Sequence, residues 1–341
     1  MKFEEQLKAT AKAMLANGKG LLAADESSNT IAKRFEAVGI ADSVESRRSY
    51  RQFLLTCNGI EEYLSGVILY DETIRQVDDD GTPLPDVLTQ KGIIPGIKVD
   101  TGAKDLALHE GEKVTEGLDG LRERFAEYAK MGAGFAKWRA VITIDGDKLP
   151  SVACYKANAH GLARYAALAQ EAGIVPVVEP EVLLDGDHSI ERCYQVTGET
   201  LDVMFAALKN QDVLLEGVIL KASMVLSGKN ATERADVQTV AEQTIKCLKE
   251  HVPPELAGVV FLSGGQSEEE ATAHLNAMNK IGNLPWPLSF SYSRAIQNPV
   301  LKLWAAGEKE KAMDAYIHRC KANALAARGQ WTEDFEKNRP Y

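Results

Sequence analysis

The chain has 341 residues, 45% of them hydrophobic and 26% charged, with a formal net charge of -10. That length fits one large α/β domain or two smaller ones, and the apolar fraction suffices for a substantial core. The acidic balance excludes a general nucleic-acid binder, but it leaves an anionic small-molecule substrate open, because local charge sets a site.

The chain opens with an amphipathic helix carrying Phe3, Leu7, Met14 and Leu15 on one face. A first strand is expected over 18–25, ending at Asp25. Ser27, Ser28, Asn29 and Thr30 then cap a helix with Ile31, Lys33, Arg34 and Phe35 that stops at Gly39. A long helix through Arg47, Phe53 and Leu54 leads to a second strand over 66–70. The acidic run at 78–80 reads as a solvated turn, since it lacks the further ligands of a calcium loop. Further strands are expected over 93–100, 134–141, 174–181, 216–225, 258–265 and 288–294, with helical stretches between them, such as 191–209 and 237–251. A long helix over 308–328 and a polar tail over 329–341 close the chain.

Eight short apolar strands alternating with helices predict an α/β fold, a closed (β/α)8 TIM barrel with an extra N-terminal helix and a C-terminal helical extension. The spacing agrees. Lys98 to Lys137 is 137 − 98 = 39 residues, and Lys137 to Glu179, Glu179 to Lys221 and Lys221 to Ser263 are each 42. No Pro-, Gly- or Ser-rich linker interrupts residues 1–341, so a single domain is expected. An open doubly wound sheet is the alternative, but it would not predict polar residues at the end of nearly every strand.

Those polar residues are Asp25, Lys98, Lys137 with Arg139, Glu179 with Glu181, Lys221, Ser263-Gly264 and Arg294. In a parallel barrel the strand ends share one rim, where such enzymes build their sites. Core packing does not explain so many charges at matching positions, because a buried cation without a partner is costly. Lys221 ends a short apolar strand. A lysine there is either a snorkelling side chain or an amine poised to attack a ketone. A nearby cation such as Lys137 would disfavour charge on it. Two segments read as anion cradles: Ser263-Gly-Gly-Gln-Ser267, which enters a helix through a Ser267/Glu270 capping box, and Ser293-Arg294. The segment 27–34 adds hydroxyls, Lys33 and Arg34. Anion sites on two sides of one amine point to a substrate with a phosphate at each end.

Cys57, Cys154, Cys193, Cys247 and Cys320 are scattered, with no C-x-x-C, and read as reduced thiols in a cytoplasmic protein. The N-terminal stretch lacks the apolar core of a signal peptide, and no run approaches the ~18 apolar residues of a membrane span. The six histidines form no close pair, which argues against a zinc-dependent reaction. Leu262-Ser-Gly-Gly-Gln266 copies the signature of an ABC-type ATPase, but no G-x-x-x-x-G-K-[ST] accompanies it.

Taken together, Leu21-Leu-Ala-Ala-Asp-Glu-Ser27, Gly96-Ile-Lys-Val-Asp100, Phe135-Ala-Lys-Trp-Arg139, Val177-Val-Glu-Pro-Glu181, Leu220-Lys221, Phe261-Leu-Ser-Gly-Gly-Gln-Ser-Glu-Glu-Glu270 and Phe290-Ser-Tyr-Ser-Arg294 resemble class I fructose-1,6-bisphosphate aldolase over nearly the whole chain. The resemblance implies that Lys221 forms the Schiff base, that Glu179 serves imine formation, and that Asp25 and Lys137 flank the reacting carbons, with Glu181 beside them. Ser263, Gly264, Ser293 and Arg294 would bind the 1-phosphate. Ser27, Thr30, Lys98 and Arg34 or Arg139 would lie on the 6-phosphate side. It also implies a homotetramer in glycolysis and gluconeogenesis that needs no metal or other cofactor. Ser293 stands where many members have glycine. Thr30 replaces a serine, and Asn29 replaces a glycine in a position where Asn tolerates the left-handed region. The tail after Gly329 is shorter than in vertebrate members, which use a C-terminal tyrosine in proton transfer; Tyr341 is the candidate here. A scaffold or binding protein on the same fold is the competing reading, disfavoured by the intact Lys221, Lys137 and Glu179.

Overall fold

The computed structural model describes residues 2–341, and Met1 lies outside the described residues. Among the described residues ten strands occur: β1 (Gly20–Ala24), β2 (Leu64–Leu69), β3 (Ile94–Lys98), β4 (Gly102–Asp105), β5 (Lys113–Glu116), β6 (Phe135–Ile142), β7 (Val175–Val182), β8 (Ile219–Ala222), β9 (Gly258–Phe261) and β10 (Leu288–Tyr292). All but β4 and β5 close into a parallel barrel in the order β1-β10-β9-β8-β7-β6-β3-β2. The chain therefore forms the expected (β/α)8 barrel, with each of the eight expected strands present.

Alternation along the strands divides the core into two layers. Leu21, Ala23, Ile68, Phe135, Val175, Val177, Ile219 and Val260 fill the barrel interior. Their neighbours Leu22, Ala136, Trp138, Val178, Leu220 and Val259 face outward against the helices. The N-terminal helix Glu4–Met14 joins the inner layer through Leu7, Ala11 and Met14, so it plugs the N-terminal end of the barrel. This burial follows from the apolar face read in the sequence. Room for Phe135 inside the barrel comes from glycine. A Cβ on Gly96 would lie 2.2 Å from the Phe135 ring, and one on Gly66 2.8 Å. Any side chain at either position would collide with a ring held on both sides by strands.

The period of two then decides what lies above the plug. Phe135 is followed on the same face by Lys137 and Arg139, Val177 by Glu179 and Glu181, and Ile219 by Lys221. Strand register levels these residues: Lys98 pairs with Lys137, and Arg139 with Glu179. The interior thus changes from apolar to charged toward the C-terminal rim.

The strands β4 and β5 form an antiparallel hairpin beside the rim that the sequence did not announce. Each is four residues long, too short to show alternation. Helices Ser28–Glu36, Val44–Thr56, Ile190–Asn210, Val237–His251 and Lys309–Ala326 match the expected helical stretches to within a few residues. Asn29 lies inside the first of these, so its tolerance of left-handed backbone is not used. The tail carries a short helix, Glu333–Lys337. All five cysteines are free and buried. Among the described residues no helix is long and apolar enough to cross a membrane.

Candidate active site

A cavity of about 370 Å³ opens at the C-terminal rim. Its floor is a cluster of four buried charged groups delivered by four strands. Asp25 follows β1, Lys137 sits on β6, Glu179 on β7 and Lys221 on β8. Lys137 Nζ donates to Asp25 Oδ2 at 3.0 Å and forms an ion pair with Glu179 Oε2 at 2.8 Å. Lys221 Nζ forms an ion pair with Glu179 Oε1 at 3.0 Å. Glu179 thus bridges the two amines, one oxygen to each.

The electrostatics follow from that bridge. Burial opposes the charge on Asp25, but Lys137 and Lys221 outweigh it and hold the Asp25 carboxyl down at about 2. Burial opposes the charge on Glu179 as well, and Lys137, Lys221 and Arg139 reverse it, so this carboxyl is also held below its ordinary value. Burial works against the Lys137 ammonium, but Asp25, Glu179 and Asp100 raise its pKa above the ordinary lysine value. Both carboxylates and Lys137 are therefore charged at neutral pH. This changes one expectation. Lys137 does sit beside Lys221, but its field does not act alone, because Glu179 lies against both amines and offsets the repulsion.

The walls carry the other charges. Lys98 Nζ donates to Asp100 Oδ1 at 2.6 Å and to its carbonyl at 2.7 Å. The same carboxylate accepts from the backbone N–H of Gly102 at 3.1 Å and of Arg139 at 3.2 Å, fixing the turn after β3. Arg139 pairs with Glu181. On the opposite wall lie Ser263 and Gly264, which follow β9, and Ser293 and Arg294, which follow β10. The expected capping box is present: Ser267 Oγ accepts from the Glu270 N–H at 3.1 Å, and the Ser267 N–H donates to Glu270 Oε2 at 2.9 Å. Arg294 is the first residue of the helix Arg294–Ala305. Ser293 has φ of −105°, so a side chain fits there without strain. Ser27 and Thr30 also line the cavity, and their hydroxyls lie 3.0 Å apart.

Two candidate residues lie elsewhere. Arg34 does not line the cavity. Its guanidinium pairs with Glu26 and donates to Ser293 Oγ at 3.2 Å. Tyr341 is farther removed. Its ring stands edge-on to His318 at 5.7 Å, in a separate surface depression with Trp331 and Arg339. The aromatic shelf of His318 and Phe335 captures the chain end there.

Several lining residues escaped the sequence reading. Glu26 gathers Arg34, Arg51, Ser293 and Gln297 around one buried carboxylate. Its place next to Asp25 was the available signal. Ser291 on β10 lines the cavity, and its hydroxyl is buried without a hydrogen-bond partner among the described residues. Thr101, Gly102 and Ala103 enter through the unforeseen hairpin, and Tyr70 through the end of β2.

Buried amines and carboxylates gathered at the C-terminal ends of barrel strands define this protein as a (β/α)8-barrel enzyme. A family model described as fructose-bisphosphate aldolase class-I matches residues 6–340. The chain is 59% identical over 330 residues to a probable fructose-bisphosphate aldolase class 1 of Xanthomonas campestris pv. campestris, covering 96% of this chain and 98% of that relative. A fructose-bisphosphate aldolase of Dictyostelium discoideum is 49% identical over 335 residues, covering 97% and 94% respectively. Among solved structures, fructose-bisphosphate aldolase from Plasmodium falciparum, in complex with TRAP and a small-molecule inhibitor, superposes with a TM-score of 0.95 at 46% identity. That match covers 97% of this chain and 96% of the other. The chain belongs to the class I fructose-bisphosphate aldolase family and has aldolase activity.

Proposed function

We propose that the protein cleaves fructose-1,6-bisphosphate reversibly to dihydroxyacetone phosphate and glyceraldehyde 3-phosphate through a Schiff base on Lys221. One observation supports this above the others: Glu179 contacts Lys137 and Lys221 at once, inside a cavity lined by Lys98, Arg139 and Arg294.

A free lysine is almost entirely ammonium at neutral pH and a poor nucleophile. Glu179 lies within proton-transfer reach of Lys221 and takes that proton. The freed amine adds to the C2 ketone of the open-chain sugar. The carbinolamine then loses its hydroxyl as water, with the proton returned from Glu179. The cationic imine that results is an electron sink. Removal of the C4 hydroxyl proton by a carboxylate, Asp25 or Glu179, lets the C3–C4 electron pair move onto the imine. Glyceraldehyde 3-phosphate departs, and an enamine remains. Protonation at C3 and hydrolysis release dihydroxyacetone phosphate and restore the Lys221 amine. Lys137, kept cationic by its two carboxylates, holds Asp25 and Glu179 ionised and offers a fixed positive charge to the substrate oxygens.

Ser263, Gly264, Ser293 and Arg294 form the 1-phosphate side, where the loop after β9, one helix start and one guanidinium line the same cavity. Ser27, Thr30, Lys98 and Arg139 form the 6-phosphate side. Anchoring both ends keeps C2 against Lys221, and such positioning supplies several kcal/mol. A homotetramer and a cytoplasmic location belong to the same proposal. An Arabidopsis thaliana relative named "Fructose-bisphosphate aldolase 5, cytosolic", 48% identical, supports the second.

The test is formation of both triose phosphates from fructose-1,6-bisphosphate by the purified protein, with Lys221→Met as the comparison. Cleavage that depends on Lys221 is expected. A correctly folded, soluble protein that binds the sugar without cleaving it would favour the scaffold reading instead.

A further inference from the structure

Arg319 lies in the helix Lys309–Ala326 and is completely buried, outside the cavity. Its guanidinium makes four directed hydrogen bonds. Nε donates to the carbonyl of Ala295 at 3.2 Å. Nη2 donates to the carbonyl of Glu268 at 2.8 Å and to Thr272 Oγ1 at 2.7 Å. Nη1 donates to Glu336 Oε1 at 2.6 Å. Two of these acceptors occupy telling places. Glu268 is the first residue of the helix Glu268–Ile281, which follows the Ser263–Gly264 loop. Ala295 is the second residue of the helix that Arg294 begins. One guanidinium therefore braces the starting turns of both helices whose approaches form the 1-phosphate side.

The charge balancing this brace comes from the tail. Glu336 is on the terminal helix Glu333–Lys337 and is itself buried. Trp331 Nε1 donates to its other oxygen at 3.3 Å, and Arg339 pairs with it at 2.9 Å. Arg339 also pairs with Glu269, next to the braced carbonyl of Glu268. A fully buried guanidinium that loses its carboxylate must find water or move, because an unpaired buried charge is strongly disfavoured. Either response reaches the two helix starts directly.

We infer that Arg319 and Glu336 are positioning residues for phosphate binding: the tail, through Glu336, sets the relative placement of the Ser263–Gly264 loop and Arg294. This rests on the reading that those residues hold the 1-phosphate. The tail then acts on the cavity by bracing its wall, while among the described residues none of 329–341 lines the cavity. Small errors in the placement of binding groups are expressed as weaker binding of the group they hold.

The experiment compares the full-length protein with Glu336→Gln, Glu336→Ala and Glu336→Asp. It measures kcat and KM for fructose-1,6-bisphosphate and the inhibition constant of inorganic phosphate. Glu336→Gln and Glu336→Ala should raise KM and the phosphate inhibition constant together, by about fivefold, with kcat within about twofold. Glu336→Asp, which keeps the charge, should restore much of the affinity. Should Glu336→Ala fail to fold, the near-isosteric Glu336→Gln carries the comparison. Unchanged KM and phosphate inhibition in the variants, or a fall in kcat without either change, would overturn the inference while leaving the phosphate reading intact. Failure of phosphate to compete in the unaltered protein would remove the phosphate reading, and this inference with it.

Discussion

Glu179 Oε1 lies 3.0 Å from Lys221 Nζ while its other oxygen lies 2.8 Å from Lys137 Nζ. One carboxylate thereby touches the amine proposed to react and the cation that keeps this carboxylate ionised. Neutralising it should be severe. Glu179→Gln is expected to lower kcat by about a hundredfold or more, the scale of a lost general acid–base group. The variant also removes one of the two carboxylates paired with buried Lys137, so its melting temperature should fall. Steady-state kinetics and a thermal melt check both. Activity within a few-fold of the unaltered protein would remove Glu179 from proton transfer.

Acid stability gives a second test. The Asp25 carboxyl is held at about 2 in the folded protein, against an ordinary 3.8. A lowered carboxyl contributes stability that is present above its unfolded value and is lost as pH falls through its folded value. Asp25 should therefore contribute about 2 kcal/mol above pH ~4, lost between pH ~4 and ~2. Glu179 adds in the same direction. Lys137 has the opposite sign. Its pKa is raised from 10.5, so its contribution is fully present below that value and is lost only at still higher pH. Stability should thus hold through neutral and mildly alkaline pH and decline on the acid side. Asp25→Asn should flatten that acid decline, as read from urea midpoints across pH. An unchanged acid slope in the variant would contradict the assignment.

A side chain at Gly264 would crowd the wall beneath the proposed 1-phosphate. A Cβ there would lie 2.8 Å from Leu262 Cδ1 and 3.0 Å from Glu181 Oε1. Its backbone is not left-handed, so the penalty is crowding. Gly264→Ala should push Glu181 against Arg139 or displace the loop. KM for the bisphosphate should rise about tenfold, with a smaller effect on thermal stability. A normal KM would show that the loop yields without cost.

The chain end provides a fourth prediction. Tyr341 rests against His318, outside the cavity. Deleting this residue should leave the cleavage rate within about twofold, since no reacting group is lost. A large drop in turnover, with KM unchanged, would mean that the tail leaves its shelf during the reaction.

Much of this was legible in the sequence, for reasons that particular residues make plain. Lys137, Glu179 and Lys221 each follow an apolar residue two places earlier, so alternation alone puts them on the inner face above Phe135, Val177 and Ile219. The regular spacing of these residues then placed them at equivalent strand ends. Partnerships were not legible. Nothing in residue order says that Glu179 bridges both lysines, because that depends on rotamers and on the register between β6, β7 and β8. Arg34 looked like an anion ligand by charge and position, yet Glu26 holds it. The hairpin of β4 and β5 was missed because four residues per strand are too few to show a period. Tyr341 was a candidate by resemblance, which transfers a role but not a place.

The most direct test is covalent. The protein is incubated with fructose-1,6-bisphosphate and borohydride, which reduces an imine to a stable secondary amine, and the modified peptide is identified by mass. The account predicts one adduct, on Lys221, with parallel loss of activity, and none in Lys221→Met. An adduct on another lysine, or undiminished cleavage by Lys221→Met, would contradict it.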